Sequence, residues 1–319
     1  MNTRQLIIDT LCQEGMISGD RLAQKLGLSR SAIWKHMQRL RENGVCIEAV
    51  PGRGYRLCED LLNAGAIQHR LPDSTRIGRT IEVVAEVRST NSLLLERAET
   101  LEDGFVLLAD KQTQGRGRLG RQWHSEPGQS LTFSVLLKPD CRPEQAVSLP
   151  LVVACSLHRS LAALIPAVRL KWPNDLLVRG AKLAGILMEM RAEPGRIQAI
   201  VVGIGMNIRQ PKQGWPPDLR QPAVDIESAA GCAVSRNMLA ASCLQALDED
   251  YTAWLTQGFA PFRDYWWRFH LGSDRKVRVH DGHGYIEGIA RSIDEQGGLV
   301  LHTETGIRRI LAGDLELLP

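Results

Sequence analysis

The sequence predicts an α+β chain built from three modules. These are a winged helix–turn–helix over residues 1–62, a mixed α+β domain over 63–270 and a small SH3-like β-barrel over 271–319. Three observations predict this division. Helical periodicities followed by a hairpin signal fill the first 60 or so residues. From Ile81 onward, apolar runs of strand length interleave with long helical patterns. After Gly272 the chain breaks into short strands separated by glycine turns. A length of 319 residues is long for one domain and ordinary for two or three.

The elements follow in order. In "RQLIIDTLCQEG", Leu6, Ile7, Leu11 and Cys12 recur at helical spacing, and Gly15 stops the helix. Ser18 caps a second helix with Arg21 at N3, Leu22 and Leu26 form its apolar face, and Gly27 ends it. Ser29 caps a third helix, Arg30 to Arg41, with Ile33, Met37 and Leu40 on one side and Asn43-Gly44 closing it. "VCIEAV", the turn Pro51-Gly52-Arg53-Gly54 and "YRL" form the wing. "CEDLLNAGAIQHRLPDST" is a linker helix. "IEVVAEV", "GFVLLAD" and "SLTFSVLL" are strands, and "EQAVSLPLVVACSLHRSLAALI" is one long buried helix. "AVRLKWPNDLLV", "AKLAGILMEMRA" and "RIQAIVVGIGMNI" are further strands, with turns at Arg179-Gly180 and Pro194-Gly195. "NMLAASCLQALDEDYTAWLTQG" is an amphipathic helix that "FRDYWWRFH" extends. "KVRVH", "GYIEGIARSID", "GLVLHTE", "GIRRIL" and "LELL" make the barrel.

Composition narrows the function. With 24% charged residues and a formal net charge of +3, nothing points to global disorder, and the balance alone does not imply nucleic acid. The seven cysteines are an odd number with no C-x-x-C, which argues against a disulfide framework or a zinc site and fits reduced thiols in a cytosol. Asp9 interrupts the N-terminal apolar run, so neither a signal peptide nor a membrane span is expected there. No apolar run approaches the roughly 18 residues a span needs. A cytoplasmic protein without membrane contact is the expectation.

Charge is distributed unevenly. From Arg21 to Arg41 the chain carries six Lys or Arg residues and no Asp or Glu. Arg30, Ser31, Trp34, Lys35 and Gln38 fall away from the core face of the third helix, and Arg53 and Arg56 lie on the wing. Such side chains suit a major-groove reader, with Ser and Gln for bases and Lys and Arg for phosphates. The alternative is a solvated basic face on a protein-interaction module. A single module reads DNA weakly, so a dimer on a two-fold operator is expected.

"DKQTQGRGRLGRQW" contains Gly115-Arg116-Gly117-Arg118-Leu119-Gly120, which spells the dinucleotide pattern G-x-G-x-x-G. That motif requires a helix after the glycines to receive pyrophosphate. Here a Pro-Gly turn and a strand follow, so the dinucleotide interpretation fails. What remains is a flexible glycine loop whose Arg116, Arg118 and Arg121 offer forked donors to phosphate or carboxylate, with Trp123 as a flat face. Pro173 ends strand pairing beside Asn174 and Asp175. Lys182 leads an apolar strand and is a candidate charge partner for an anionic transition state, or a hairpin-end lysine in water. Gly203 and Gly205 inside a buried strand suggest a bulge or close approach. Ser89, Thr90 and Asn91 cap a helix and can form a polar pocket. His280-Asp-Gly-His283 is a turn. Because no triad, paired carboxylates or metal spacing emerges, the site is one of positioning and charge stabilisation, and no resident metal site is expected.

Together these strings resemble the biotin–protein ligases, specifically the bifunctional bacterial ligase/biotin-operon repressors. The matching pieces are "STN" at Ser89–Asn91, "QTQGRGRLGRQW" at Gln112–Trp123, "KWPNDL" at Lys171–Leu176, "KLAGIL" at Lys182–Leu187 and "GIGMNI" at Gly203–Ile208. The resemblance spans all three modules and implies a class II synthetase-like central fold. It implies that biotin and ATP, with Mg²⁺, give biotinyl-5′-AMP, from which biotin passes to a lysine of a biotin carboxyl carrier domain. It also implies binding to operator DNA as a homodimer when adenylate-bound, with biotinyl-5′-AMP as corepressor. By motif, Ser89, Thr90, Asn91, Gln112, Arg116, Gly117, Arg118 and Lys182 take biotin. Arg116, Arg118, Arg121, Trp123, Asn174 and Asn207 take the adenylate. Arg118, Lys182 and Asp175 serve catalysis, Asp175 binding Mg²⁺ or orienting the incoming lysine. Leu119 departs from the family loop, where a basic residue is usual; "WHSEPG" lacks the expected aromatics, and "AGDLELLP" ends early. Two alternatives stand beside this: a ligase whose winged helix no longer represses, and a non-catalytic biotin-sensing repressor.

Overall fold

The computed structural model describes residues 3–42, 45, 47–57, 60–217, 219–282 and 284–318. The N-terminal module begins with α1 (Thr3–Glu14), β1 (Met16–Ile17), α2 (Gly19–Leu26) and α3 (Arg30–Glu42). The expected caps form: Arg21 N donates to Ser18 Oγ, Ala32 N donates to Ser29 Oγ, and Gly27 is left-handed. The proposed closure at Asn43-Gly44 lies outside the described residues. The wing is β2 (Ile47–Val50) and β3 (Gly54–Leu57), joined by β1 in a β1-β3-β2 sheet that sequence reasoning missed by one strand. Gly54 is demanded there, because a Cβ would lie 2.1 Å from the Ile17 carbonyl oxygen. Ile7, Leu11, Leu22, Ile33, Met37 and Leu40 close the module's own core.

The expected linker helix shrinks to α4 (Ala64–Gln68), capped by Asn63. The central domain then runs β4 (Ile81–Val87), α5 (Thr90–Arg97), β5 (Val106–Gln112), a 3₁₀ turn at Arg118–Gly120 and β6 (Ser130–Leu137). It continues with α6 (Pro143–Ala146), α7 (Leu149–Ala162), β7 (Val168–Lys171), β8 (Asp175–Val178), β9 (Ala181–Glu193) and β10 (Arg196–Asn207). Last come α8 (Ile226–Ala230), α9 (Arg236–Gln257) and α10 (Ala260–Phe269). Three expectations change. The long helix over 144–165 splits into α6 and α7, with Pro150 in the first turn of α7, where its missing N–H costs nothing. Gly258 at φ 64° separates α9 from α10. "AVRLKWPNDLLV" is a hairpin whose turn contains a cis Trp172–Pro173 bond.

The sheet order is β4-β5-β6-β10-β9-β8-β7, with only β4–β5 parallel and α5 as their crossover. Helix α5 covers one face through Leu94, Leu107, Leu136 and Val201. Helices α7 and α9 cover the other through Val106, Leu108, Phe133, Val135 and Val202. Burial on both faces is why these strands are continuously apolar rather than alternating. Helix α9 is not purely amphipathic, because its buried side includes Arg236, Asn237 and Asp250.

The C-terminal module is an antiparallel sheet of β11 (Lys276–His280), β12 (Tyr285–Ile293), β13 (Leu299–Thr303), β14 (Gly306–Ile310) and β15 (Asp314–Leu317), in the order β14-β13-β12-β11-β15. Asp281 and Gly284 close the turn after β11, with His283 outside the described residues. Val277, Val279, Leu299 and Leu315 join the central core, and Trp172 Nε1 donates to the Gly297 carbonyl across the junction at 3.0 Å. The N-terminal module is held through Arg236, only 2% exposed, which donates to Asp110 Oδ1 and to the Asp60 carbonyl, both at 2.5 Å.

Candidate active site

One cavity of about 1090 Å³ opens at the end of β5, between the 115–123 loop, the β7–β8 turn, the 209–222 segment and β15. Ser89, Thr90, Asn91, Gln112, Arg116, Gly117, Arg118, Arg121, Trp123, Asn174, Asp175, Lys182 and Asn207 all line it. These positions span 119 residues of chain, so the fold rather than local sequence gathers them.

At the α5 end, the cap of the helix becomes a polar wall. Ser89 Oγ accepts from Ser92 N, as the sequence suggested. Thr90 donates to Gln112 Oε1 through its backbone N at 2.8 Å and its Oγ1 at 3.1 Å. Ser134 Oγ bridges Thr90 Oγ1 at 2.7 Å and Asn91 Oδ1 at 2.6 Å. Asn91 Nδ2 donates to the Leu187 carbonyl and to Glu189 Oε2. Each buried polar atom here has a defined partner, which fixes the directions its remaining lone pairs and protons present to a ligand.

Gly203 and Gly205 make close approaches, and the β9–β10 ladder runs through both without a shift in register. A Cβ on Gly203 would lie 2.2 Å from Asn91 Oδ1, and one on Gly205 would lie 2.4 Å from Trp123 Cε2. Gly203→Ala is therefore expected to displace Asn91, lowering stability by about 1–3 kcal/mol and weakening ligand binding at the α5 end. Chemical denaturation and a direct binding titration check this, and a variant with unchanged binding refutes the packing role of the glycine.

The glycine loop folds back on itself as a hairpin. Trp123 N donates to the Gly115 carbonyl at 2.9 Å, and Gly117 N donates to the Arg121 carbonyl at 2.7 Å. Gly115 is required because a Cβ would lie 2.4 Å from the Trp123 carbonyl oxygen. Leu119, 73% exposed, and Gly120 turn the tip with φ of 56° and 72°. A left-handed leucine costs roughly 1–2 kcal/mol, so the one unusual letter of the motif is also a strained one.

Cations converge from several elements. Arg118 Nη1 donates to Asn174 Oδ1 at 3.1 Å and to the Gly313 carbonyl at 3.3 Å. Burial pulls its guanidinium below the ordinary arginine value, against the pull of Asp314 and Asp175. Lys182 Nζ lies 2.8 Å from Asp175 Oδ1 and 5.8 Å from the Trp123 ring centroid. Arg116 pairs with Glu189 at 2.8 Å, and Arg121 pairs with Asp314. Burial lowers the Lys171 ammonium, whose Nζ donates to Gln221 Oε1 at 3.1 Å. Asn174 Nδ2 donates to the Ile186 carbonyl, and Asn207 Nδ2 to the carbonyls of Lys182 and Val224. Both amides therefore brace the strands that carry Lys182.

Sequence reasoning did not single out Ser134, Glu189, Arg220 or Asp314, and it named Lys171 only as the start of the KWPNDL string, with no role of its own. Two of them carried a signal. Ser130, Thr132 and Ser134 form a buried period-2 polar stripe in an otherwise apolar strand, and Glu189 is an acid on an apolar one. Among the described residues no three His, Cys, Asp or Glu side chains converge as metal ligands.

On the N-terminal module, Arg30, Ser31, Trp34, Lys35 and Arg53 are exposed, Trp34 by 54%, while Gln38 is half-buried. Several basic residues of the module already have partners: Arg30 lies 3.4 Å from Asp20 at the surface, and Lys25 lies 2.7 Å from Glu14. Arg41 Nε donates to the Ile47 carbonyl at 3.0 Å, and Arg56 pairs with Glu48 at 2.6 Å. The module's exposed basic surface is thus α3 and the tip of the wing.

Family comparisons agree with this three-part layout. Residues 83–207 match the biotin/lipoate A/B protein ligase family, 3–56 an HTH domain and 272–318 the biotin protein ligase C-terminal domain. The chain is 36% identical to the bifunctional ligase/repressor BirA of Escherichia coli, covering 99% of this chain and 98% of that protein. It is 34% identical to the protein of the same name from Bacillus spizizenii, covering 98% of each. Among solved structures, the biotin protein ligase of Aquifex aeolicus in complex with biotin and ATP aligns at a TM-score of 0.65 and 31% identity, covering 75% of this chain and 99% of that one. This chain belongs to the biotin protein ligase family, in the three-module form of its bifunctional ligase/repressors.

Proposed function

We propose that the protein joins biotin to ATP as biotinyl-5′-AMP, passes biotin to a lysine of a biotin carboxyl carrier domain, and represses a biotin operon with the adenylate as corepressor. One observation carries this best: thirteen motif residues line a single cavity whose chemistry is cationic and hydrogen-bonding. Among the described residues, no hydroxyl of that cavity is hydrogen-bonded to a histidine as an activated nucleophile would be.

The reaction needs none. A biotin carboxylate oxygen attacks the α-phosphorus, and the bond to pyrophosphate breaks. The carrier amine then attacks the acyl carbon, and AMP leaves with the P–O bond intact. Both steps move negative charge onto phosphate oxygens, where preorganised cations lower the barrier. Ser89, Thr90, Asn91 and Gln112 hold biotin. Arg116, Gly117 and Arg118 cover the acyl phosphate, and Lys182 sits at the carboxylate–phosphate junction. Trp123, Asn174 and Asn207 line the nucleotide side, with Arg121 at its rim. Asp175, whose Oδ1 lies 2.8 Å from Lys182 Nζ, binds Mg²⁺ or orients the incoming carrier lysine. Mg²⁺ fits as an ion carried by the triphosphate, since it binds through one or two carboxylates plus phosphates and water. When bound, it neutralises phosphate charge.

The winged helix uses Arg30, Ser31, Trp34, Lys35, Gln38 and Arg53 on operator DNA, as part of a cytoplasmic homodimer formed when adenylate is bound. The modules divide at about residues 62 and 270. Removing residues 1–57 separates the two activities, because Asp60 stays in place to partner Arg236. Labelled-biotin transfer to a carrier domain should persist in the truncated protein, while salt-sensitive operator retardation, seen with the full chain, disappears. Full-length protein that retards no operator DNA with biotin and ATP present refutes the repressor half. Adenylate formed without transfer refutes the ligase half.

A further inference from the structure

The two segments that cover the cavity meet on one carboxylate from the C-terminal sheet. Asp314 opens β15 beside Gly313, where a Cβ would lie 2.7 Å from the His280 carbonyl oxygen. The chain is therefore pressed against the end of β11, and Asp314 lines the cavity. Both terminal nitrogens of Arg121, from the 115–123 hairpin, reach this carboxylate. Arg220 Nη1, from the 209–222 segment, reaches it at 3.1 Å, and Arg220 Nη2 lies 3.5 Å from Glu316. The Asp314 side chain is only 17% exposed, so solvent screens these pairs less than open surface pairs.

We propose that Asp314 is a positioning residue that latches the two covering segments together, with Arg220 as its partner in the second. Three features support a latch over a plug in the phosphate subsite. Arg121 and Arg220 are rim residues, 42% and 59% exposed. The inner cations have other partners: Lys182 holds Asp175, and Arg118 holds Asn174 Oδ1 and the Gly313 carbonyl. The anchor itself is rigid, because β15 shares the central core through Leu315, whereas 209–217 and 219–222 form no helix or strand. Neutralising Asp314 leaves two guanidinium groups converging without their shared counter-charge, which drives the segments apart.

What the latch retains rests on the proposed ligase function; the latch itself does not. Hydrogen exchange on the ligand-free full chain should rise in both 116–122 and 209–222 on Asp314→Asn. Exchange rising in neither segment, or in one alone, overturns the latch. With labelled biotin and ATP, adenylate should escape about tenfold faster from Asp314→Asn and from Arg220→Gln, on the scale of one charge-assisted pair. The double variant should be no worse than the faster single, and Asp314→Glu should recover most of the retention. Unchanged or slower escape from Asp314→Asn, or fully additive effects of the two changes, overturns it. A wild-type chain that forms no adenylate refutes the ligase function instead, and the exchange experiment still decides the latch.

Discussion

Arg118→Gly is expected to release biotinyl-5′-AMP roughly 10- to 100-fold faster than the wild-type chain, on the scale of one to two charged hydrogen bonds. Arg118 stitches the hairpin to the β7–β8 turn through Asn174 and to the C-terminal sheet through the Gly313 carbonyl. Its side chain is half-buried, and burial already pulls its guanidinium below the ordinary arginine value, so solvent replaces its hydrogen bonds only in part. Glycine also frees the backbone beside Leu119, whose left-handed conformation the hairpin now enforces. An acyl phosphate that escapes acylates any amine it meets. The variant should therefore label bystander lysines broadly, as read by avidin blot after incubation with biotin and ATP. Tight adenylate retention and clean labelling of the carrier alone would show that Arg118 is no lid.

Lys182→Met should slow adenylate formation by about 10²- to 10³-fold, the usual effect of deleting one preorganised donor to a developing anion. Lys182 is the inner cation nearest Asp175, at 2.8 Å, and packs over Trp123. A structural cost accompanies the change, because Asp175 loses its charge partner in a half-buried site. The pair Lys182→Met with Asp175→Asn separates the two effects. Stability should return toward wild type in the double variant, while the adenylation rate stays low. Recovery of the rate in the double variant would reduce Lys182 to a counter-ion of Asp175.

Local chemistry made the winged helix legible. Ser18, Gly27 and Ser29 act within one turn of chain, and the amphipathic spacing of Ile33, Met37 and Leu40 points directly at a core. The motif residues of the cavity were legible for a different reason: their strings resemble a family, and the residues come together only in the fold. Long-range partners were hidden. Nothing near Arg121 in sequence indicates that its counter-ion is Asp314, and nothing near Asn91 indicates that it fills the space left by Gly203. The role of one glycine in the loop was hidden in the same way. Gly115 serves close backbone approach to Trp123 within a hairpin, a partner that its place in a glycine-rich string does not reveal. Local periodicity likewise ran through residues 147–148, between α6 and α7, and through Gly258, so that one expected helix became two in each case.

The central claim is that a bound adenylate, made without a protein nucleophile, hands biotin to a carrier lysine. Incubating the full chain with labelled biotin and ATP, removing small molecules by gel filtration, and then adding a biotin carboxyl carrier domain tests it directly. The label should elute with the protein, bound non-covalently, and on addition of the carrier should move to a single carrier lysine without further ATP, releasing AMP in equal amount. Label that stays with the protein after the carrier is added, or that proves covalently attached to it beforehand, would contradict the account.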